Sequence, residues 1–206
     1  MIRLLPMVLL VSSAVFAGPA EDLDGCLTPE NLERLERGEL VVYKKGGKDD
    51  DGVSRAFGRV VAIINRSKED IWQLLVHDEE HVNFQPHLVS VERYTPGEGD
   101  VGLKQTVRVA FKTFVYHIIE DHDEAAGVIA WRLDKSKENS IADTVGSWVV
   151  RPHGEGRCIV MYTISVDSGM AFPKFIENIL FNRDLPDIVK SMKEYLEARK
   201  DDAARK

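Results

Sequence analysis

Two cysteines in 206 residues, Cys26 and Cys158, are too few to staple a fold, and a chain of this length buries enough apolar surface to need no disulfide framework. A basic surplus is equally missing. Against 34 acidic residues stand 27 Lys and Arg, giving a net charge of −7, and no segment gathers the basic stripe that phosphate contacts require, so no nucleic acid is expected as a partner. Beyond residue 17 no apolar run is long enough to cross a bilayer as a helix. The chain also lacks a Gly-x-Ser-x-Gly elbow and a glycine-rich loop of phosphate-binding spacing, which removes the common hydrolase and nucleotide-binding readings. What is present, 44% hydrophobic and 30% charged residues, is the balance of a globular domain.

The N-terminus carries the sharpest local signal. Arg3 precedes an apolar run from Leu4 to Phe16, and Val15 and Ala17 occupy the −3 and −1 positions of a cleavage site. This is the pattern of a secretory signal peptide over residues 1–17, and it predicts an exported protein, periplasmic or secreted. Leu23-Asp24-Gly25-Cys26 resembles the sequence before a lipidated cysteine, but Glu21, Asp22 and Asp24 separate it from the apolar run. Residues 18–52 read as a helix, a strand and a charged loop. Thr28 caps the helix, Pro29 sits at its first position, Leu32 and Leu35 give it an apolar face, and Gly38 ends it. A strand follows from Leu40 to Tyr43, then a loop from Lys44 to Gly52. Its run Asp49, Asp50, Asp51 lacks the alternating ligand spacing of a calcium loop.

Residues 53–199 form the main domain, with a polar tail from 200 to 206. Val53 to Ile64 reads as a strand. Ser67 caps a helix with Glu69 and Asp70 in its first turn and Ile71, Leu74 and Leu75 on its apolar face. Six runs rich in Val, Ile and aromatics then predict strands at Leu88–Tyr94, Gly102–Phe111, Phe114–Asp121, Val128–Leu133, Asp143–Val150 and Cys158–Val166. Apolar residues at spacings of three and four from Phe172 to Leu196 predict a long terminal helix, interrupted near Pro186. This order predicts an α+β fold, a curved antiparallel sheet wrapped around the terminal helix. The space between the two is a natural ligand cavity.

Several segments carry a family resemblance. They are Gly146-Ser147-Trp148 with Arg151-Pro152, Tyr162 to Asp167, Phe172-Pro173-Lys174-Phe175, Leu185-Pro186, and the stretch from Asp78 to Pro86 with Phe84-Gln85-Pro86 at its end. In order and spacing, Val53 to Glu197 resembles the START-like superfamily (SRPBCC), which holds polyketide cyclases, plant Bet v-type allergens and lipid-transfer domains. The resemblance implies a helix-grip fold, two short helices after the first family strand, and binding of a lipid-like hydrophobic molecule. A minority of such proteins catalyse cyclisation, aromatisation or hydrolysis.

Three constellations invite a chemical reading. His77, Glu80 and His81 spell His-x-x-Glu-His, a pattern that places two imidazoles for zinc when it lies on an α-helix. No third ligand accompanies it, so the reading is a polar helix junction with no metal and no cofactor. His117 and His122 lie near Asp121 and Asp123, as in acid–base catalysis, but Glu120 to Glu124 has the composition of an exposed turn. Cys26 and Cys158 are each free to be a disulfide partner or a buried small hydrophobe. No catalytic residue is assigned. The expected ligand-binding residues are Val107, Val109 and Phe111 on one strand, Tyr162 and Ile164 on another, the walls Trp131 and Trp148, and Phe172, Phe175, Ile176 and Ile179 on the terminal helix. The expected partner is a hydrophobic small molecule or lipid, with a transient membrane contact. The leading expectation is an exported carrier. The alternative is a cyclase- or aromatase-type enzyme acting in the same cavity.

Overall fold

The computed structural model describes residues 19–48, 54–97, 100–170 and 185–204. Segment 1–17, Asp49 to Asp51, and Phe172, Phe175, Ile176 and Ile179 lie outside them. Two helices, α1 (Pro19–Cys26) and α2 (Pro29–Glu36), lead into a hairpin of β1 (Val41–Lys48) and β2 (Ser54–Ile64). Helix α3 (Lys68–Val76) and a 3-10 turn (Asp78–Asn83) connect to β3 (Leu88–Tyr94), β4 (Val101–Val109), β5 (Lys112–Asp123), β6 (Val128–Leu133), β7 (Asp143–Pro152) and β8 (Cys158–Asp167). Helix α4 (Leu185–Ala204) follows. The strands form one antiparallel sheet in the order β1-β2-β8-β7-β6-β5-β4-β3. The architecture is the expected α+β arrangement, a curved sheet gripping a terminal helix.

Each face of the sheet buries a different set of side chains, because alternate residues of a strand point to opposite sides. On the inner face Val60, Ala62, Ile64, Val150, Cys158, Val160 and Tyr162 pack with α3 and with Leu185, Val189, Met192 and Leu196 of α4. The outer face takes Val61, Ile63, Val149, Ile159 and Met161, covered by Leu23 and Cys26 of α1 and Leu35 of α2. Cys26 and Cys158 are therefore free thiols buried on opposite faces. Burial pushes the Cys158 thiol up to about 11.

Local chemistry sets the element ends. The Thr28 hydroxyl accepts from the Asn31 amide at 3.2 Å, and Ser67 does the same for Asp70 at 3.1 Å, satisfying amides that have no partner within their helices. Gly38 ends the α2 segment at φ +83°, a conformation that costs a residue with a Cβ. Pro186 falls in the first turn of α4, a position that tolerates a residue without a backbone N–H. Several contacts tie α4 to the rest of the fold. Arg66 donates to the Leu196 carbonyl, Lys193 Nζ to the Ile63 carbonyl at 2.6 Å, and Tyr195 and Arg199 both engage Glu80.

Four expectations need correcting. Helix α1 was not expected, although Pro19 followed by Glu21 and Asp22 is helix-starting chemistry. The segment expected as a loop from Lys44 continues β1 to Lys48, paired against β2 down to Ser54. Strand β4 stops at Val109 rather than Phe111, because Ala110 turns the chain at φ +53° and Val109 pairs directly with Lys112. Phe111 therefore sits in the turn, 77% exposed, instead of on the inner face. Finally, Glu120 to Asp123 is not an exposed turn but the end of β5, paired with β6, and Glu120 is buried.

Candidate ligand-binding site

Between the inner face and α4 lies an apolar cavity of about 150 Å³. Ala56 and Gly58 of β2, Val107 of β4, Phe114 of β5, Ile164 and Val166 of β8, and Leu185 and Ile188 of α4 contribute to its wall. A Cβ on Gly58 would stand 2.2 Å from a Leu185 methyl, so the glycine lets the first turn of α4 seat against β2. A dry apolar cavity of this size accommodates a solute as large as benzene.

A second, polar chamber of about 40 Å³ adjoins it. The two share Gln85, Tyr116, Thr144, Tyr162 and Ile164 as walls, and the chamber adds His81, Gln105, Ile118, Glu120, Trp131 and Trp148. Its space is enough for about two or three waters, or for one polar headgroup. The Tyr116 hydroxyl donates to Gln105 Oε1 at 2.8 Å, and the Thr144 hydroxyl donates to the Ser165 carbonyl at 3.0 Å. Burial pushes the Tyr116 hydroxyl up to about 12. Tyr162 is raised further by burial and by the neighbouring Tyr116, so both phenols stay protonated and able to donate at neutral pH.

Glu120 and His81 are the unusual members. Glu120 is 7% exposed, and one of its oxygens lies 2.8 Å from His122 Nε2. The other oxygen has no hydrogen-bond partner among the described residues. His122 shares the inner face because it is two residues on, and its ring meets Trp72 edge-on. His117, five residues earlier, points to the opposite face, where Nδ1 and the backbone amide both meet the Asn139 side-chain oxygen. His81 is 3% exposed and its Nε2 lies 3.0 Å from the Leu75 carbonyl. A carbonyl only accepts, so Nε2 carries the proton and Nδ1, buried without a partner, is left as an acceptor. The residues of His-x-x-Glu-His separate: His77 Nδ1 meets the Gln73 carbonyl, while Glu80 turns to Tyr195 and Arg199. Asp78 to Asn83 is a 3-10 turn, whose three-residue period does not stack positions i and i+4.

Three aromatic rings contribute to the chamber wall. Trp131 stacks on Tyr162 with ring centroids 5.7 Å apart, and Trp148 lies 4.4 Å from Tyr162 on its strand neighbour. Gly146 makes this possible, since a Cβ there would stand 2.1 Å from the Trp131 ring and 2.4 Å from the Thr163 carbonyl.

Of the eleven expected ligand residues, the structure brings five to the two spaces, places two elsewhere, and leaves four outside the described residues. Val107, Tyr162 and Ile164 line the apolar cavity, and Trp131, Trp148, Tyr162 and Ile164 line the chamber. Val109 is buried beside Phe114 in a small separate cluster, and Phe111 faces solvent. Glu120, His81, Gln105 and Tyr116 were missed. The available signal was period two along β5, which puts Phe114, Tyr116, Ile118 and Glu120 on one face.

A family model described as "Polyketide cyclase / dehydrase and lipid transport" matches residues 64–193. No curated protein matches by sequence. Among solved structures, the chain is similar to the Zhui aromatase/cyclase of Streptomyces sp. R1128, at 15% identity and a TM-score of 0.57 over 78% of this chain and 96% of that one. A STAR-related lipid transfer protein of Xanthomonas axonopodis matches at 15% identity and a TM-score of 0.53, over 75% of this chain and 98% of the other. Norcoclaurine synthase of Thalictrum flavum matches at 13% identity and a TM-score of 0.50, over 71% and 88%. At these identities the likeness establishes the fold.

Proposed function

The chain belongs to the polyketide cyclase/dehydrase and lipid-transport family, and from that membership we propose that it is an exported carrier that sequesters a lipid-like small molecule between the sheet and α4. The observation that carries this reading is the continuous apolar cavity walled by β2, β4, β5, β8 and α4. Burying about 200 Å² of ligand surface at roughly 25 cal/mol per Å² is worth about 5 kcal/mol gross, before association costs. Binding of this kind needs no catalytic group. The likeness to the Xanthomonas lipid transfer protein agrees with it. Export rests on the Arg3-to-Ala17 segment, and N-terminal sequencing of the protein from its native source tests it. A new N-terminus near Gly18 supports export, and an intact Met1 contradicts it. Mass spectrometry of organic extracts tests the carrier itself: a stoichiometric apolar compound released on denaturation is the expected result.

A second reading, an enzyme acting on a hydrophobic substrate in the same cavity, is favoured by the buried Glu120 carboxylate paired with His122. Turnover of an extracted compound by the protein, lost in Glu120→Gln, distinguishes it from carriage.

A further inference from the structure

A cavity for apolar molecules does not by itself require a buried carboxylate. Glu120 costs solvation where it stands, and His122 engages only one of its oxygens. His81 adds a buried acceptor, Nδ1, without a partner among the described residues. Native proteins leave few such groups unsatisfied, and a buried one calls for a water or a ligand atom. Both residues line one small chamber, which adjoins the apolar cavity across shared wall residues.

The chamber also holds donors. The Gln105 oxygen is taken by Tyr116, which leaves its amide N–H groups, and Tyr162 has a protonated hydroxyl with no partner among the described residues. A group that matches this mixed wall must donate to Glu120 and accept from Gln105 or Tyr162 in about 40 Å³. We propose that the chamber recognises the hydroxyl group of an otherwise apolar ligand whose body fills the adjoining cavity. A hydroxyl both donates and accepts, and it is small and uncharged. A carboxylate or phosphate would be buried against Glu120 with like charge opposing it. An ammonium group would find the other Glu120 oxygen and His81 Nδ1 as acceptors, but it must give up the hydration of a full charge, a cost repaid only where all its N–H groups are satisfied. An ether or hydrocarbon would leave Glu120 and His81 without a donor.

This inference rests on the carrier reading, and a matched set of fluorescent probes separates the two. The probes are 2-naphthol, 2-methoxynaphthalene and 2-naphthoate, titrated at pH 7 into the full chain. The expected result is that 2-naphthol binds about tenfold or more tighter than the ether and the carboxylate, the usual size of a hydrogen bond to a charged group. In Glu120→Gln the preference for 2-naphthol over the ether should fall to about threefold or less. Equal binding of all three, or tighter binding of 2-naphthoate, overturns the hydroxyl assignment and leaves the cavity reading intact. Failure of all three to bind overturns both. If Glu120→Gln does not fold, the selectivity of the unmodified protein decides the matter.

Discussion

Gly146 and Trp131 show how one missing side chain shapes the site. The indole occupies the volume that a Cβ on residue 146 would need, and the Thr163 carbonyl closes the other side. Gly146→Ala should destabilise the protein by about 1–3 kcal/mol, because overpacking against backbone has no cheap relief. Urea denaturation followed by tryptophan fluorescence measures it. The two thiols give a second test at this scale. Cys26 and Cys158 are buried on opposite faces, and Cys158 ionises only near 11. Neither should react with a maleimide at pH 7 in native protein, both should react in guanidinium, and no disulfide should form on air oxidation. Much of this was readable beforehand: the alternation Cys158, Val160, Tyr162, Ile164 was visible in the sequence. Glu120 was not, because Glu-Asp-His-Asp-Glu looks solvated by composition, and only the strand pairing with β6 reveals that its first carboxylate points inward. Phe111 failed for the opposite reason. The turn at Ala110 has no Gly, Asn or Asp to announce its positive φ.

The segment after β6 and the end of β3 form one unit on the outer face. The Tyr94 hydroxyl donates to Asp134 Oδ2 at 2.7 Å, and the ring covers Gly102, where a Cβ would stand 2.6 Å from it. Hydrogen bonds from the Ser136 hydroxyl, and then from Tyr94, hold the Asp134 carboxyl below the usual carboxylate range against the opposing effect of burial. A carboxyl lowered on folding contributes stability that is present above its unfolded value, near 4, and is lost as pH falls through its lower folded value. Tyr94→Phe should therefore cost about 1–2 kcal/mol at pH 7, a gap that narrows below about pH 4. Denaturant midpoints measured from pH 7 down to pH 2 check the sign. Helix α2 makes a separate prediction. Leu35 packs under the outer face with Leu23 and Met161, far from the cavity walls. Leu35→Ala should cost about 2–5 kcal/mol in stability with unchanged probe affinity in the folded protein. The cap at Thr28 and the stop at Gly38 made α2 legible. Helix α1 was obscured because its Leu23-to-Cys26 stretch also fits a processing signal.

For the molecule as a whole, the strand succession and the terminal helix were legible because hydrophobic period and turn residues agree along most of the chain. The layering was less so. Sequence placed the N-terminal segment before the sheet but not on its outer face, a choice made by long-range pairs such as Arg59 with Asp22 and Arg151 with Asp24. This brace leaves the inner face to α3, α4 and the cavity, so stability and binding draw on opposite sides of one sheet.

With stability drawn from the outer face, a bulky substitution in the cavity wall separates occupancy of the cavity from folding. Ile188 on α4 lines the cavity and is only partly buried. An uncharged fluorescent naphthylamine should be titrated into the unmodified protein and into Ile188→Trp, with thermal unfolding of both recorded in parallel. The variant should stay folded, with its midpoint within a few degrees, and its probe affinity should fall about tenfold or more, a loss of about 1.4 kcal/mol or more. Equal affinity in a folded variant, or no binding by the unmodified protein, would contradict occupancy of the cavity.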